Sequence, residues 1–107
     1  MIFVSPSINY NETVPIIFNF LGKLQYGETI TAAGATCTLW TGTDSNPSAM
    51  LSGTPIATPT IVTQNITGGI VGNIYILTCA VTASNQHNYL ISTKIAVITP
   101  GGLYQAI

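Results

Sequence analysis

Apolar and polar residues alternate with a period of two along most of this chain. No stretch repeats apolar residues at i, i+3, i+4 and i+7 over the roughly 11 positions a helix needs. The pattern predicts strands instead, in runs rich in Ile, Val, Thr and Tyr that Gly, Pro and Asn interrupt. The first run is Val14 to Phe20. Pro15 cannot donate to a ladder, which makes this an edge strand or a strand start. A turn with apolar anchors follows from Leu21 to Gly27, and a second strand region runs from Thr29 to Thr41. There Ala35, Cys37 and Leu39 point to one face, and Thr36, Thr38 and Trp40 to the other. The first set is assigned to the core, which leaves Trp40 on the outer face or at a strand end.

The segment from Gly42 to Pro55 reads as a loop with a single helical turn. Asp44, Ser45 or Asn46 caps it, Pro47 sits at its first position, Gly53 stops it, and Met50 and Leu51 pin it to the body. Thr60 to Ile66 is again a strand, followed by a turn at Thr67-Gly68-Gly69. Asn73 to Ala83 is the clearest strand: Tyr75, Leu77, Cys79 and Val81 alternate with Ile74, Ile76, Thr78 and Ala80. A polar hairpin tip, Ser84 to Asn88, leads into a last strand from Tyr89 to Ile98. About six or seven short strands with turns between them predict an all-β, two-sheet antiparallel sandwich with one short helical turn. It forms a single domain over residues 1–107, with an N-terminal arm over about 1–13 and a C-terminal arm over about 99–107. Both arms carry apolar residues: Ile2, Phe3 and Val4 in one, Leu103, Tyr104 and Ile107 in the other. Two readings stand for them: they dock on neighbouring molecules, or they fold back on the domain.

Composition sharpens this picture at one point, charge. The chain has two lysines, three carboxylates and no arginine, 5% charged residues against roughly 25% in an ordinary soluble domain. Clustered Lys and Arg are absent, which argues against nucleic acid as a partner and against electrostatic attachment to a membrane. A surface so poor in charge resists association weakly. It belongs either to a neutral Thr-rich β-domain or to a protein largely covered within an assembly. No basic segment precedes the short apolar stretch at Ile2 to Val4, and no apolar run approaches the roughly 18 residues of a membrane span. The expected location is therefore the cytoplasm or a particle assembled there.

Candidate chemistry is sparse. His87 is the one histidine, in a polar loop tip with no acid nearby in sequence, and reads as a solvated turn residue. Glu28 follows a turn glycine and reads as a solvated strand start; Asp44 reads as a cap. The glycines near Gly68 form neither a dinucleotide fingerprint nor a phosphate loop, and Asp44 with Asn46 does not complete a calcium loop. Cys37 and Cys79 fit no zinc spacing, leaving two buried thiols or an inter-sheet disulfide. No catalytic, cofactor-binding or metal-ligating residue is therefore assigned. What remains is a contact surface, for which the candidates are Ile2, Phe3, Val4, Trp40, Tyr89, Leu103, Tyr104 and Ile107. Trp40 serves either as a packing lid or as an interface anchor. Tyr10, Tyr26 and Tyr75 are further aromatics able to supply contact area.

The stretch GETITAAGATCTLWTGTDSNPSAMLSGTP, from Gly27 to Pro55, resembles a type of small tailed-bacteriophage virion protein. So do Val62-Thr63-Gln64, the run from Gly68 to Thr78, and Phe18-Asn19-Phe20-Leu21. The resemblance extends over about residues 14–98 and implies an immunoglobulin-like sandwich without catalytic residues. It implies a structural role joining tail fibres to the tail, with other virion proteins as partners and several copies in one assembly. The family's acidic, Trp-bearing N-terminal segment and charged last hairpin are replaced here by uncharged residues. Capsid decoration, cement or a neck position are alternative virion roles. A carbohydrate-binding module is the alternative of another class and requires exposed aromatics on one face, Trp40 with Tyr89.

Overall fold

Strand β6 (Ile74–Ala83) carries the logic of the whole molecule. Tyr75, Leu77, Cys79, Val81 and Ala83 are buried, and the residues between them are less so. One face of a pleated strand is thus covered and the other faces outward. The computed structural model describes residues 7–98. The other strands are β1 (Ser7–Asn9), β2 (Thr13–Asn19), β3 (Ile30–Thr41), β4 (Leu51–Ala57), β5 (Ile61–Thr67) and β7 (Asn88–Ile98). A 3-10 turn spans Pro47–Met50. The strands form two sheets, ordered β1-β7-β6-β3 and β2-β5-β4. Their inner faces enclose a core of Phe18, Val62 and Ile66 from one sheet and Tyr75, Leu77, Cys79, Ile95 and Val97 from the other. Truncating a core side chain such as Leu77 to alanine costs about 2–5 kcal/mol, the transfer term plus the cavity.

The order is that of an immunoglobulin-like sandwich, with its short first strand on the sheet of the last one. All pairings are antiparallel except β1 with β7, where Ile8 lies beside Val97. The corner between β5 and β6 carries a second mark of that fold. Tyr75, near the start of β6, turns its hydroxyl back to accept the Ile70 N–H at 3.1 Å, the arrangement known as a tyrosine corner.

Pro15 lies in β2, whose single partner is β5, so the edge placement holds. Two strands depart from the expectation. Residues 7–9 fall in the expected N-terminal arm, yet they form β1, and Ile8 is 1% exposed in the core. Three residues are too short a run to register as alternation. Residues 51–55 were expected to be loop, yet they open β4. Gly53, expected to stop the helical turn, instead takes φ of 75° inside the strand, and Leu51 ends the turn in extended conformation.

The β4 ladder runs Ser52 opposite Asn65, then Ile56 opposite Thr63. Gly53, Thr54 and Pro55 therefore face the single residue Gln64, a bulge that only a glycine-containing segment accommodates easily. Gln64 is 1% exposed and fills the gap. Its Nε2 donates to the carbonyls of Asn65 at 2.8 Å, Gly53 at 3.2 Å and Ser52 at 3.4 Å. A side-chain amide thus replaces ladder hydrogen bonds that the bulge removes.

Candidate interaction surface

The carboxylates accept local hydrogen bonds, with Glu28 buried, Asp44 half-buried and Glu12 exposed. Glu12 Oε1 accepts the Asn9 N–H at 3.0 Å. Asp44 accepts the Asn46 N–H at 2.9 Å and the Tyr75 hydroxyl at 2.6 Å. Those bonds, the tyrosine's first, hold the Asp44 carboxyl below its ordinary 3.8 against a smaller opposing effect of burial. Glu28 accepts the Gln25 N–H at 2.7 Å and the Tyr89 hydroxyl at 2.9 Å, and lies 3.1 Å from His87 Nδ1. Burial pushes Glu28 up, but the Gln25, Tyr89 and His87 contacts outweigh it and hold the carboxyl below its ordinary 4.5. Lys94 Nζ sits 3.9 Å from the centre of the Trp40 ring, a cation–π contact. Few charges therefore remain to solvate the sheets.

Two sequence assignments change here. Glu28 is not a solvated strand start but 7% exposed, and His87 is not a free turn residue but its partner. The two lie 59 positions apart, and the fold alone joins them. In this cluster Tyr89 Oη also lies 3.2 Å from His87 Nδ1. Among the described residues no hydroxyl or thiol is hydrogen-bonded to His87 Nε2, so the geometry clamps the β6–β7 hairpin to the loop before β3 and positions no nucleophile. No group of three metal-ligating side chains comes together among those residues either.

Cys37 and Cys79 are free and buried. They occupy neighbouring strands of one sheet, Cys37 opposite Leu77 and Cys79 opposite Ala35, so the inter-sheet disulfide reading does not hold. Burial pushes both thiols up to about 11, with the Asp44 charge adding to the effect at Cys37.

Each sheet edge is protected by its own device. β1 is three residues long, β2 carries Pro15, β4 carries Pro55 and the bulge, and the 3-10 turn and β4 lie alongside β3. The outer faces are the surfaces left open. On the three-stranded sheet, Ile17 and Ile56 flank Thr63 in one row and are both mostly exposed. On the four-stranded sheet, Thr36, Thr78 and Ser92 form a central hydroxyl row. One row away, Gly34, Ala80 and Leu90 lie side by side, with Leu90 59% exposed. A shallow depression of about 210 Å³ opens there, lined by Ala32, Gly34, Ala80, Thr82, Asn88 and Leu90 among others.

Of the residues expected to make contacts, Ile2, Phe3, Val4, Leu103, Tyr104 and Ile107 lie outside the described residues. Trp40 is 54% exposed on the outer face of the four-stranded sheet. Tyr89 is half-buried, paired with the buried Val81 and packed against the core. Trp40 and Tyr89 therefore share no face, and the aromatic pair that a carbohydrate-binding module requires is not formed. Tyr75 is core, whereas Tyr10 and Tyr26 are exposed. Leu90 and Ile17 stand in apolar runs whose parity is ambiguous, and Ile56 follows the loop-like Gly53-Thr54-Pro55, so none of them stands out along the chain. The pairing of Leu90 with Ala80 settles its direction. No helix among the described residues is long and apolar enough to cross a membrane. Neither a family model, nor a curated protein, nor a solved structure matches this chain.

Proposed function

We propose that this chain is a structural protein of a tailed-bacteriophage particle, joining fibres to the tail through protein–protein contacts. The observation that carries the reading is the use of charge. The three carboxylates accept local hydrogen bonds, and the outer faces present Thr, Ser, Ala and exposed Ile, Leu or Trp, with Lys94 stacked on Trp40 as the charge among the described residues there. Such faces suit burial against other proteins, because almost no charge needs desolvation. Blunted edges favour contact through faces and disfavour open-ended strand pairing. The resemblance over about residues 14–98 supplies the particle, since a fold alone does not fix a function.

Cryo-electron microscopy of the intact particle tests the reading. Density for a seven-stranded sandwich between tail and fibre, in copies matching the tail symmetry, is the expected result. Copies scaling with the capsid would move the protein to a decoration role, and absence from the particle would refute both.

A further inference from the structure

We infer that the outer face of the four-stranded sheet docks a second copy of this chain about a two-fold axis running along β6. The inference deepens the assembly reading above by naming one surface and its occupant.

Area selects the face. β3, β6 and β7 contain 12, 10 and 11 residues. At about 3.4 Å per residue and about 4.8 Å between strands, they project roughly 540 Å² per copy, or about 1,080 Å² for two. The seven-residue strands of the other sheet project only about 340 Å² per copy by the same spacing. A specific interface needs about 1,000 Å² in total, which the first face reaches and the second does not.

Shape selects the partner. In the row Gly34, Ala80, Leu90 the smallest residue lies on β3, a small one on the central β6, and an exposed leucine on β7. A two-fold along β6 lays β7 of each copy over β3 of the other. Leu90 of one copy then enters the depression over Gly34 and Ala80 of its partner, and the same contact forms twice, as an isologous interface requires. The adjacent row, Thr36, Thr78 and Ser92, brings hydroxyls against hydroxyls, and Thr78 and Ser92 already bond at 2.8 Å. Lys94 is the one charge on this face. It lies over Trp40 two rows from Leu90, toward the rim.

Sedimentation velocity on the full chain, from low to high micromolar concentration, reads the result. The expected species has twice the 11.2 kDa chain mass. Leu90→Asp is expected to weaken the dimer at least about 100-fold, as loss of a central apolar anchor does. Gly34→Val separates assembly from folding, because a Cβ at Gly34 meets nothing within 4 Å in the single chain. It should leave the melting temperature unchanged or raised while filling the depression and abolishing the dimer. Ile56→Asp, on the opposite sheet, should leave the dimer intact. A single-chain mass at every concentration overturns the inference, as does a dimer indifferent to both Leu90→Asp and Gly34→Val. A monomeric chain still found in the particle would overturn this inference alone. A Leu90-dependent dimer absent from any particle would support it and overturn the virion reading.

Discussion

The two ends of the sandwich are closed by the same chemistry used to different degrees. At one end Asp44 accepts its own loop's Asn46 N–H and grips the hydroxyl of Tyr75. At the other Glu28 accepts its own turn's Gln25 N–H and grips the hydroxyl of Tyr89. Each clasp ties a loop flanking β3 to a tyrosine of the four-stranded sheet. The Tyr75 clasp is sealed at its tyrosine: the ring is fully buried, and its oxygen also takes N–H groups from Ile70 and Asn73. Asn73 in turn donates to Thr43 O, and its side chain occupies the space where a Cβ on Gly42 would stand. The Tyr89 clasp is half open, and its third partner is His87, itself 48% exposed. The two ties meet water at opposite partners: Asp44 is half-buried beside a buried Tyr75, whereas Glu28 is buried beside a half-buried Tyr89. The first is the firmer because the Tyr75 oxygen has three partners within the protein.

The largest expected effect lies in the sealed clasp. Tyr75→Phe keeps the ring but leaves Asp44 Oδ2, the Ile70 N–H and one of the two Asn73 side-chain N–H bonds without a partner. It should cost about 3 kcal/mol, and thermal melting should fall by roughly 15 °C. An unchanged melting temperature would show that the corner is not a structural tie. Gln64→Leu, outside both clasps, gives the reference for a buried amide. The two Nε2 protons shared among three carbonyls are lost together with the buried Oε1, which has no partner of its own, so about 1 kcal/mol of stability should be lost in urea titrations. Glu28→Gln should cost less than Tyr75→Phe at neutral pH, which ranks the two clasps directly.

Acid sharpens the comparison. Both carboxyls are held below their ordinary values, so each favours the folded state while ionised. That contribution is present above about pH 4.5 and is lost as pH falls through the depressed folded values. Urea midpoints between pH 6 and pH 2 should decline, and Glu28→Gln should flatten part of the decline. An identical acid slope in wild type and Glu28→Gln would remove Glu28 from the account. At the alkaline end the sign reverses. Burial and the bond to a carboxylate hold both tyrosine hydroxyls above 10, so stability is lost as pH rises past that value. The smallest effect is chemical. With thiols pushed up to about 11, Cys37 and Cys79 should stay unmodified by iodoacetamide at pH 8 in the folded protein and react once urea unfolds it.

The elements legible in the sequence were those whose burial follows a period of two. β6 and the outward turn of Trp40 both follow from that parity. β4 was hidden because Gly53, Thr54 and Pro55 carry the composition of a loop, and the residue that makes them a strand edge is Gln64, on another strand. The Glu28 cluster was hidden for a related reason. Glu28 and His87 each sit among turn residues, and only the pairing of β3, β6 and β7 brings them together. Polar residues that complete a fold at long range leave no local periodicity.

Outer faces that carry almost no charge suit burial against other proteins, and Lys94 over Trp40 is the charge they show among the described residues. Uncharged contacts do not depend on ion pairs, which salt screens within a few ångströms at about 1 M. The most direct measurement is quantitative mass spectrometry of purified phage particles before and after a wash at about 1 M salt. This chain is expected in a fixed copy number per particle, unchanged by the wash. Its absence from the particle, or its release by salt, would contradict the account.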